Sequence, residues 1–289
     1  MQTILVIGLG EIGATVFGIL KDSKKFKVYG LDLDKNKMEE NNAQEPPKGK
    51  IDVLQICIPV ANKEKFVQIA KGYIEKYNPT LTIINSTLPI GTTMALYKRC
   101  GGLIAHSPCR GVHKNREYMK KEFSRWIKYV GGATPEAGKA AIEHFTLAGL
   151  KTKLLDNCSD TEFAKLFETT YRTWMIVFFQ KIHRLSRKYN EANPDLKISF
   201  DETVDFIEDT HRQRHDRPVM FPDVIGGHCL IPNSKLMLEE FEPEMLKLML
   251  ESNALQIEEI KDPKVAAETH KVAKRVGKFE SEQDKQVMC

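Results

Sequence analysis

Gly8, Gly10 and Gly13 stand at the spacing G-x-G-x-x-G between an apolar run, Ile4 to Ile7, and a segment where Ile12, Val16, Ile19 and Leu20 recur at helical spacing. Strand, glycine turn and helix in that order can cradle a pyrophosphate. The first glycine makes the tight turn, the second lets the backbone approach the phosphates, and the third lets helix and strand pack closely. The helix start adds free N–H groups and the positive end of its dipole. Asp32 ends a second strand-like stretch, Phe26 to Leu31, nineteen residues past Gly13. A carboxylate there accepts from ribose hydroxyls and repels a 2′-phosphate, so the expected cofactor is NAD rather than NADP. Read blandly, Asp32 or Asp34 is only a turn residue. His211 and His215 have an i, i+4 spacing that can bind a metal, but no third ligand stands nearby in sequence, and no metal is expected. Arg212, Arg214 and Arg217 could hold a phosphate or carboxylate of a substrate, or be solvated surface.

Alternating strands and helices must position these groups. Ile51–Ile58, Leu81–Asn85, Leu103–His106, Trp126–Val130 and Leu154–Leu155 read as further strands. A helix over about 66–77 and one opened by Thr134-Pro135-Glu136 lie between them, and 36–50 reads as a polar loop. The fold class is α/β: a Rossmann-type, doubly wound parallel sheet followed by a long helix and a smaller all-helical domain. Ligands of such sheets lie beyond the carboxyl ends of the strands. Those ends carry Gly8, Asp32, Cys57 with Pro59, Ser86 with Thr87, and Ser107-Pro108-Cys109. Ser159-Asp160-Thr161-Glu162 has the form of a capping box and opens a helix striped by Phe163, Leu166, Phe167, Tyr171, Trp174, Phe178, Ile182 and Leu185. At roughly 1.5 Å per residue it reaches about 45 Å, enough to link two domains or to pack on a second subunit. Ser199-Phe200-Asp201-Glu202 is a second capping box, and helices follow over about 234–242 and 244–260. The expected division is a NAD-binding domain over 1–158, a helical central domain for dimerisation and substrate over 159–262, and a polar tail over 263–289.

A chain of 289 residues with 42% hydrophobic and 28% charged content is ordinary for a soluble globular protein. A net charge of +4, dispersed along the chain, gives no case for nucleic acid. No run of about 18 apolar residues indicates a membrane span. The start at Ile4 lacks the basic flank and small-residue cleavage site of a signal peptide. Six cysteines with no C-x-x-C pair suggest the thiols of a reduced cytoplasm.

GLGEIG, ICIPV, NSTLPIGTT, SPCR, EFAKLFETTYR and a GGHC turn before a helix, taken in order and at these intervals, resemble the UDP-glucose/GDP-mannose dehydrogenase family. The likeness runs through that family's first two domains, and its third, nucleotide-sugar-binding domain has no counterpart in these residues. The resemblance implies two successive NAD-dependent oxidations of a nucleotide-sugar alcohol, through an aldehyde and a cysteine thioester, and a homodimer through the long helix at about 160–190. Cys229 matches the thiolate nucleophile. Lys165, of E-x-x-K, matches the lysine that stabilises the developing oxyanion, and Thr87 matches the threonine that helps hold the reacting oxygen. The chemistry is coherent, since a thiol near a helix N-terminus and a cation is a better nucleophile, and an ammonium in a dry cleft steadies a tetrahedral oxyanion. Gly8, Gly10, Glu11, Ile12, Gly13, Asp32, Cys57, Pro59 and Ser86 would touch the cofactor. Thr169, Arg214, Arg217, Gly227, His228, Asn233 and Cys109 would touch a small-molecule substrate, a sugar or nucleotide sugar.

Three positions depart from the pattern. Cys109 replaces the glutamate that activates water against the thioester. Thr169 replaces an asparagine four residues after the lysine, and Asn233 replaces an aspartate four residues after the nucleophile. A neutral thiol and an amide are poor general bases, so the hydrolytic half-reaction is in doubt. Two other readings stand beside this one. The first is a two-electron dehydrogenase of the 6-phosphogluconate or hydroxyacid type that depends on Lys165 and not on Cys229. The second is an NAD-binding protein or subunit without turnover.

Overall fold

The protein is described by a computed structural model covering residues 1–46, 49, 51–111, 115–227, 229–241 and 244–288, with the backbone alone for 278–288. The chain divides into two compact units, residues 1–166 and 167–289. The boundary falls eight residues beyond the expected 158, because the first two turns of the long helix pack with the first unit.

In the first unit, β1 (Thr3–Ile7), β2 (Lys27–Leu31), β3 (Val53–Ile56), β4 (Leu81–Ile84), β5 (Leu103–His106), β6 (Lys128–Gly132) and β7 (Thr152–Leu154) form one sheet in the order β2-β1-β3-β4-β5-β6-β7. The order reverses between β1 and β3, the switch point where doubly wound sheets take their ligands. Side chains alternate across the sheet. Ile4 and Val6 face α1 (Glu11–Asp22), α5 (Arg116–Arg125) and α6 (Pro135–Leu147), through Val16, Phe17, Phe123 and Phe145. Leu5 and Ile7 face α3 (Lys63–Tyr77) and α4 (Thr92–Cys100), through Phe66, Ala70 and Leu96. Cover on both faces explains the unbroken apolar runs.

Two expectations need correction here. The sheet is not wholly parallel: β6 runs antiparallel to β5, with Ala105 opposite Gly132 and His106 opposite Gly131. The connection through α5 returns to the edge it left, where the Lys128 ammonium donates to the carbonyls of Ser107 and Pro108. Residues 36–50 are also not all loop. The Asp34 carboxylate accepts from the Asn36 N–H and caps a short helix, α2 (Lys35–Glu40).

The long helix α7 (Cys158–Ala192) has 35 residues. Its capping box lies two residues earlier than the sequence suggests. The Asn157 side chain accepts from the N–H groups of Ser159 and Asp160, and Asp160 accepts in return from the Asn157 N–H. Glu162 is thereby released for another partner, described below.

The second unit holds the rest of α7 with α8 (Phe200–Arg214), α9 (Leu230–Phe241), α10 (Glu244–Glu259) and α11 (Pro263–Met288). The polar tail, read from sequence as a frayed helix or disorder, is the helix α11. Val265, Val272 and Val276 are buried along one face, and the Arg275 guanidinium donates twice to the Asp201 carboxylate of α8. The mixed charges that make this segment look unstructured occupy the opposite face. α7 differs from its sequence pattern too. Thr169, Thr170, Thr173, Gln180, His183 and Ser186 are buried, while Phe167, Tyr171, Phe178 and Leu185 are more than half exposed. Among the described residues, no helix is long and apolar enough to cross a membrane.

Candidate active site

The glycine turn is built by contact. A Cβ on Gly13 would fall 1.7 Å from the Gly8 carbonyl oxygen, and one on Gly8, at φ +83°, would fall 2.6 Å from the Cys57 oxygen. Gly10 has nothing within 4 Å of the place a Cβ would occupy, and as N-cap of α1 it leaves the first turn without a side-chain cap. Open space before uncapped amides is what a pyrophosphate needs, and the residues fit a dinucleotide. Glu11 and Ile12 begin α1 beside it. Asp32 ends β2, and its two carboxylate oxygens accept from the N–H groups of Leu9, at 2.6 Å, and Asp34, at 2.9 Å. This ties the acid to the turn it was expected to serve.

Register carries the remaining strand ends to the same edge. Ile7 lies beside Leu31 and Ile56, Ile56 beside Ile84, and Ile84 beside His106. Gly8, Asp32, Cys57, Ser86 and Ser107 each follow closely, so the expected convergence is present. Pro59 is exposed beside it. The Ser86 hydroxyl donates to the Ile58 carbonyl, and the Ser86 carbonyl lies 3.0 Å from His106 Nε2. A carbonyl can only accept, so Nε2 carries the proton, and Nδ1 of the neutral ring lies 2.8 Å from the Thr161 hydroxyl, whose single proton also has the Cys158 carbonyl oxygen as an acceptor, 2.8 Å from the hydroxyl oxygen. Burial drives this histidine down to about 3, which keeps the ring neutral.

Thr87 is half-buried in the following turn. That turn is held by Glu162, which accepts from the Gly91 N–H, the Thr93 N–H and the Thr93 hydroxyl at 2.6, 2.8 and 2.6 Å. Burial pushes the Glu162 carboxyl upward, and these three donors oppose the rise. Lys165, three residues on, is half-buried.

Cys109 is buried, with its sulfur 3.4 Å from Lys128 Nζ. Lys128 also donates to Asn85 Oδ1, Asn85 Nδ2 to Gln55 Oε1, and Gln55 Nε2 lies 2.9 Å from His144 Nε2. This polar chain crosses the sheet interior, and burial lowers His144 to about 4. Burial and the neighbouring Cys109 both push the Cys57 thiol upward, so it stays protonated. The Cys57 backbone packs against the Gly8 turn, and its protonated thiol is a poor nucleophile.

The second unit carries Cys229, which is exposed and stands immediately before α9, its carbonyl accepting from the Asn233 N–H. Gly227 takes φ +78°. His228 lies outside the described residues. Asn233 and Thr169, two of the departures from the family pattern, meet each other: Asn233 Nδ2 donates to Thr169 Oγ1 at 3.3 Å, both side chains being buried. The arginine cluster is engaged locally, Arg212 with Glu208 and Arg217 with Asp216, while Arg214 is exposed at the end of α8. The His211 ring accepts from the Arg217 N–H, and among the described residues no group of three metal-binding side chains occurs.

The buried polar residues that sequence reading did not single out for a site are His106, Lys128, Glu162, Gln180 and Asn253. Lys128 inside a strand and His106 at the end of an apolar one were the available signals. For Gln180 and Asn253, on helices, there was none.

No protein-family model matches the chain. A UDP-N-acetyl-D-mannosamine dehydrogenase of Methanocaldococcus jannaschii is 25% identical over 270 residues, covering 79% of this chain and 60% of that protein. The chain thus spans about three fifths of the length of that curated relative. Among solved structures, the UDP-D-ManNAc dehydrogenase of Pyrococcus horikoshii superposes with a TM-score of 0.72 at 20% identity, over 88% of this chain and 68% of that one. The 3-hydroxyisobutyrate dehydrogenase of Mycobacterium tuberculosis gives 0.65 at 16% identity, over 91% of this chain and 94% of that one. At these identities the two structural likenesses establish the fold. The resemblance to nucleotide-sugar dehydrogenases drawn from the motifs holds, and it extends over most of the chain.

Proposed function

We propose that this protein is an NAD-dependent oxidoreductase that converts an alcohol group of a sugar or nucleotide sugar to the aldehyde, or the reverse. The observation that carries the reading is the open, uncapped glycine turn tied to Asp32 at the switch point of the sheet. NAD held there would take a hydride from the carbinol carbon. The chain supplies the rest. Gly8 to Gly13 hold the pyrophosphate, Asp32 accepts from the ribose, and Cys57, Pro59 and Ser86 line the strand ends. Cys229 is the thiol nucleophile toward the aldehyde carbon, its proton passing to solvent. Lys165 steadies the resulting oxyanion, and Thr87 holds the oxygen. Gly227, Arg214 and Arg217 are proposed to hold substrate.

The step after thioester formation needs a base to activate water. Cys109 is enclosed beside Lys128, and Asn233 is tied to Thr169, so neither supplies a carboxylate. A thioester, reached only by a second hydride transfer, could not then be hydrolysed and released, so product released in turnover is the aldehyde, two electrons from the alcohol. With purified protein, NAD and UDP-N-acetylmannosamine or UDP-glucose, one NADH or less per sugar is expected, with aldehyde trapped by hydroxylamine. Two NADH per sugar and a free carboxylate product would overturn the two-electron reading.

The near-complete overlap with a 3-hydroxyisobutyrate dehydrogenase favours a second reading, a hydroxyacid-type dehydrogenase. Activity would then survive Cys229→Ser and be lost in Lys165→Ala. Tight NAD binding with no hydride transfer to any of these substrates would favour a protein without turnover. We also propose a homodimer along α7, whose exposed Phe167, Tyr171, Phe178 and Leu185 form an apolar stripe. Sedimentation should give a dimer that Phe178→Glu dissociates.

A further inference from the structure

The segment before Cys229 has no regular secondary structure, yet its backbone is held at defined points by buried side-chain amides. Asn253 of α10 presents its oxygen to the Ile225 N–H at 2.7 Å and its nitrogen to the Ile225 carbonyl at 3.3 Å. One amide thus satisfies both backbone groups of a residue that is itself buried, as a neighbouring strand would. Gln180 of α7 donates to the Asp223 carbonyl at 2.7 Å. The two clamps are coupled, because Ser252, beside Asn253, donates to Gln180 Oε1 at 2.8 Å. Arg184 closes the cluster by donating to the Ser252 hydroxyl and carbonyl and to Gln256. Gln180, Ser252 and Gln256 are all buried.

Downstream, Asn233 ties the first turn of α9 to Thr169, also on α7. Thr169 and Gln180 are three helical turns apart, so both stand on one face of α7. Cys229 therefore stands between two stretches anchored to α7, one at Asp223 and one at Asn233, with Gly226 and Gly227 as the described part of its tether. Neither glycine has anything within 4 Å of a Cβ position. The described hydrogen bonds that fix this stretch are those at Asp223, Ile225 and Asn233.

We propose that Asn253 is the positioning residue for the Cys229 thiol. Through Ile225 it sets where the tether begins, and hence whether the sulfur stays at the head of α9. This rests on the reading of Cys229 as a nucleophile and assigns its control to a residue far along the chain. Asn253 itself does not touch the reacting atoms.

The test uses the full chain and iodoacetamide, with rates at Cys229 and Cys100 followed by mass spectrometry over a range of pH. Cys100, half-buried in the first unit, is the internal standard. Three proteins are compared: wild type, Asn253→Leu, which loses both bonds, and Asn253→Asp, which keeps the acceptor for the Ile225 N–H. Amide exchange at Ile225 reports the clamp in each. Cys229 in the wild type should outpace Cys100. In Asn253→Leu the labelling rate at Cys229 should fall and its pH–rate profile should move toward that of Cys100. Asn253→Asp should fall between, and Cys100 should not change. If wild-type Cys229 is no faster than Cys100, the nucleophile reading fails and the proposal falls with it. If wild-type Cys229 is fast and its pH–rate profile is unmoved in both variants, although Ile225 has lost protection, only the positioning role is overturned. If Asn253→Leu does not fold, the Asn253→Asp profile decides by the same criterion.

Discussion

The glycine turn after β1 and the glycine tether before α9 each lead into a helix N-terminus, but they are held by opposite means. In the first, the glycines are the structure: Gly8 and Gly13 exist because backbone lies where a Cβ would be. In the second, Gly226 and Gly227 lie in open space, and the fixed points are side chains of α7 and α10. A steric requirement falls on the motif residues themselves and is legible in their spacing. A clamp made by amides 30 or 40 positions away leaves the motif ordinary.

The comparison breaks first, and hardest, at Gly13→Ala. The new methyl would sit 1.7 Å from the Gly8 oxygen, so backbone must move, and a loss upwards of about 4 kcal/mol is expected in urea unfolding. A variant with near wild-type stability would show that the turn is not sterically closed.

Acid comes next. Burial holds His106 down to about 3 and His144 down to about 4 in the folded protein, below the ordinary histidine value of about 6.5. Their contribution is complete above the unfolded value and declines as pH falls through the window toward the folded values, because the unfolded chain takes up the protons. Each group costs up to about 1.4 kcal/mol per pH unit once pH is well below the unfolded value, so the two together should lower stability by about 2.5 kcal/mol between neutral pH and about pH 5.5. His106→Asn should remove about half of that dependence. The clamp of Gln180, Ser252 and Asn253 does not titrate, but burial also lowers His183 of α7 and His211 of α8, so both units contribute to this sensitivity. A stability that is flat over this window would mean that both rings are protonated where they stand.

Gly10→Ala sharpens the contrast, since its methyl meets no protein atom but would enter the phosphate space. Stability should hold, while calorimetry should find NAD binding weaker by at least about tenfold, or about 1.4 kcal/mol. Unchanged NAD affinity would count against the pyrophosphate site. The smallest effect belongs to Gly226→Ala, where nothing lies within 4 Å. Its unfolding free energy should stay within about 0.5 kcal/mol of wild type, as for a surface substitution, and a larger loss would show that the tether itself is packed.

Much of the first unit was readable because parallel strands buried on both faces are apolar throughout, and the helices between them carry caps such as Thr134 and Asn62. The direction of β6 was not readable, since Trp126 to Val130 says strand but not which way it runs. α7 misleads because its aromatic stripe is exposed and its threonines are inside. A helix with two apolar-capable faces does not say which one its own chain covers. α11 was misread because charge on one face hid Val265, Val272 and Val276 on the other.

By itself, the sequence determined the glycine turn, the acid at the end of β2 and the order of strands and helices, because these depend on local sterics and periodicity. Tertiary structure alone decided the rest. Glu162 left its own helix start for Gly91 and Thr93, Thr169 met Asn233, and Asn253 took hold of Ile225. Each joins residues distant in the chain, and a polar side chain buried on a helix reveals its partner only when packing removes the water that would otherwise satisfy it.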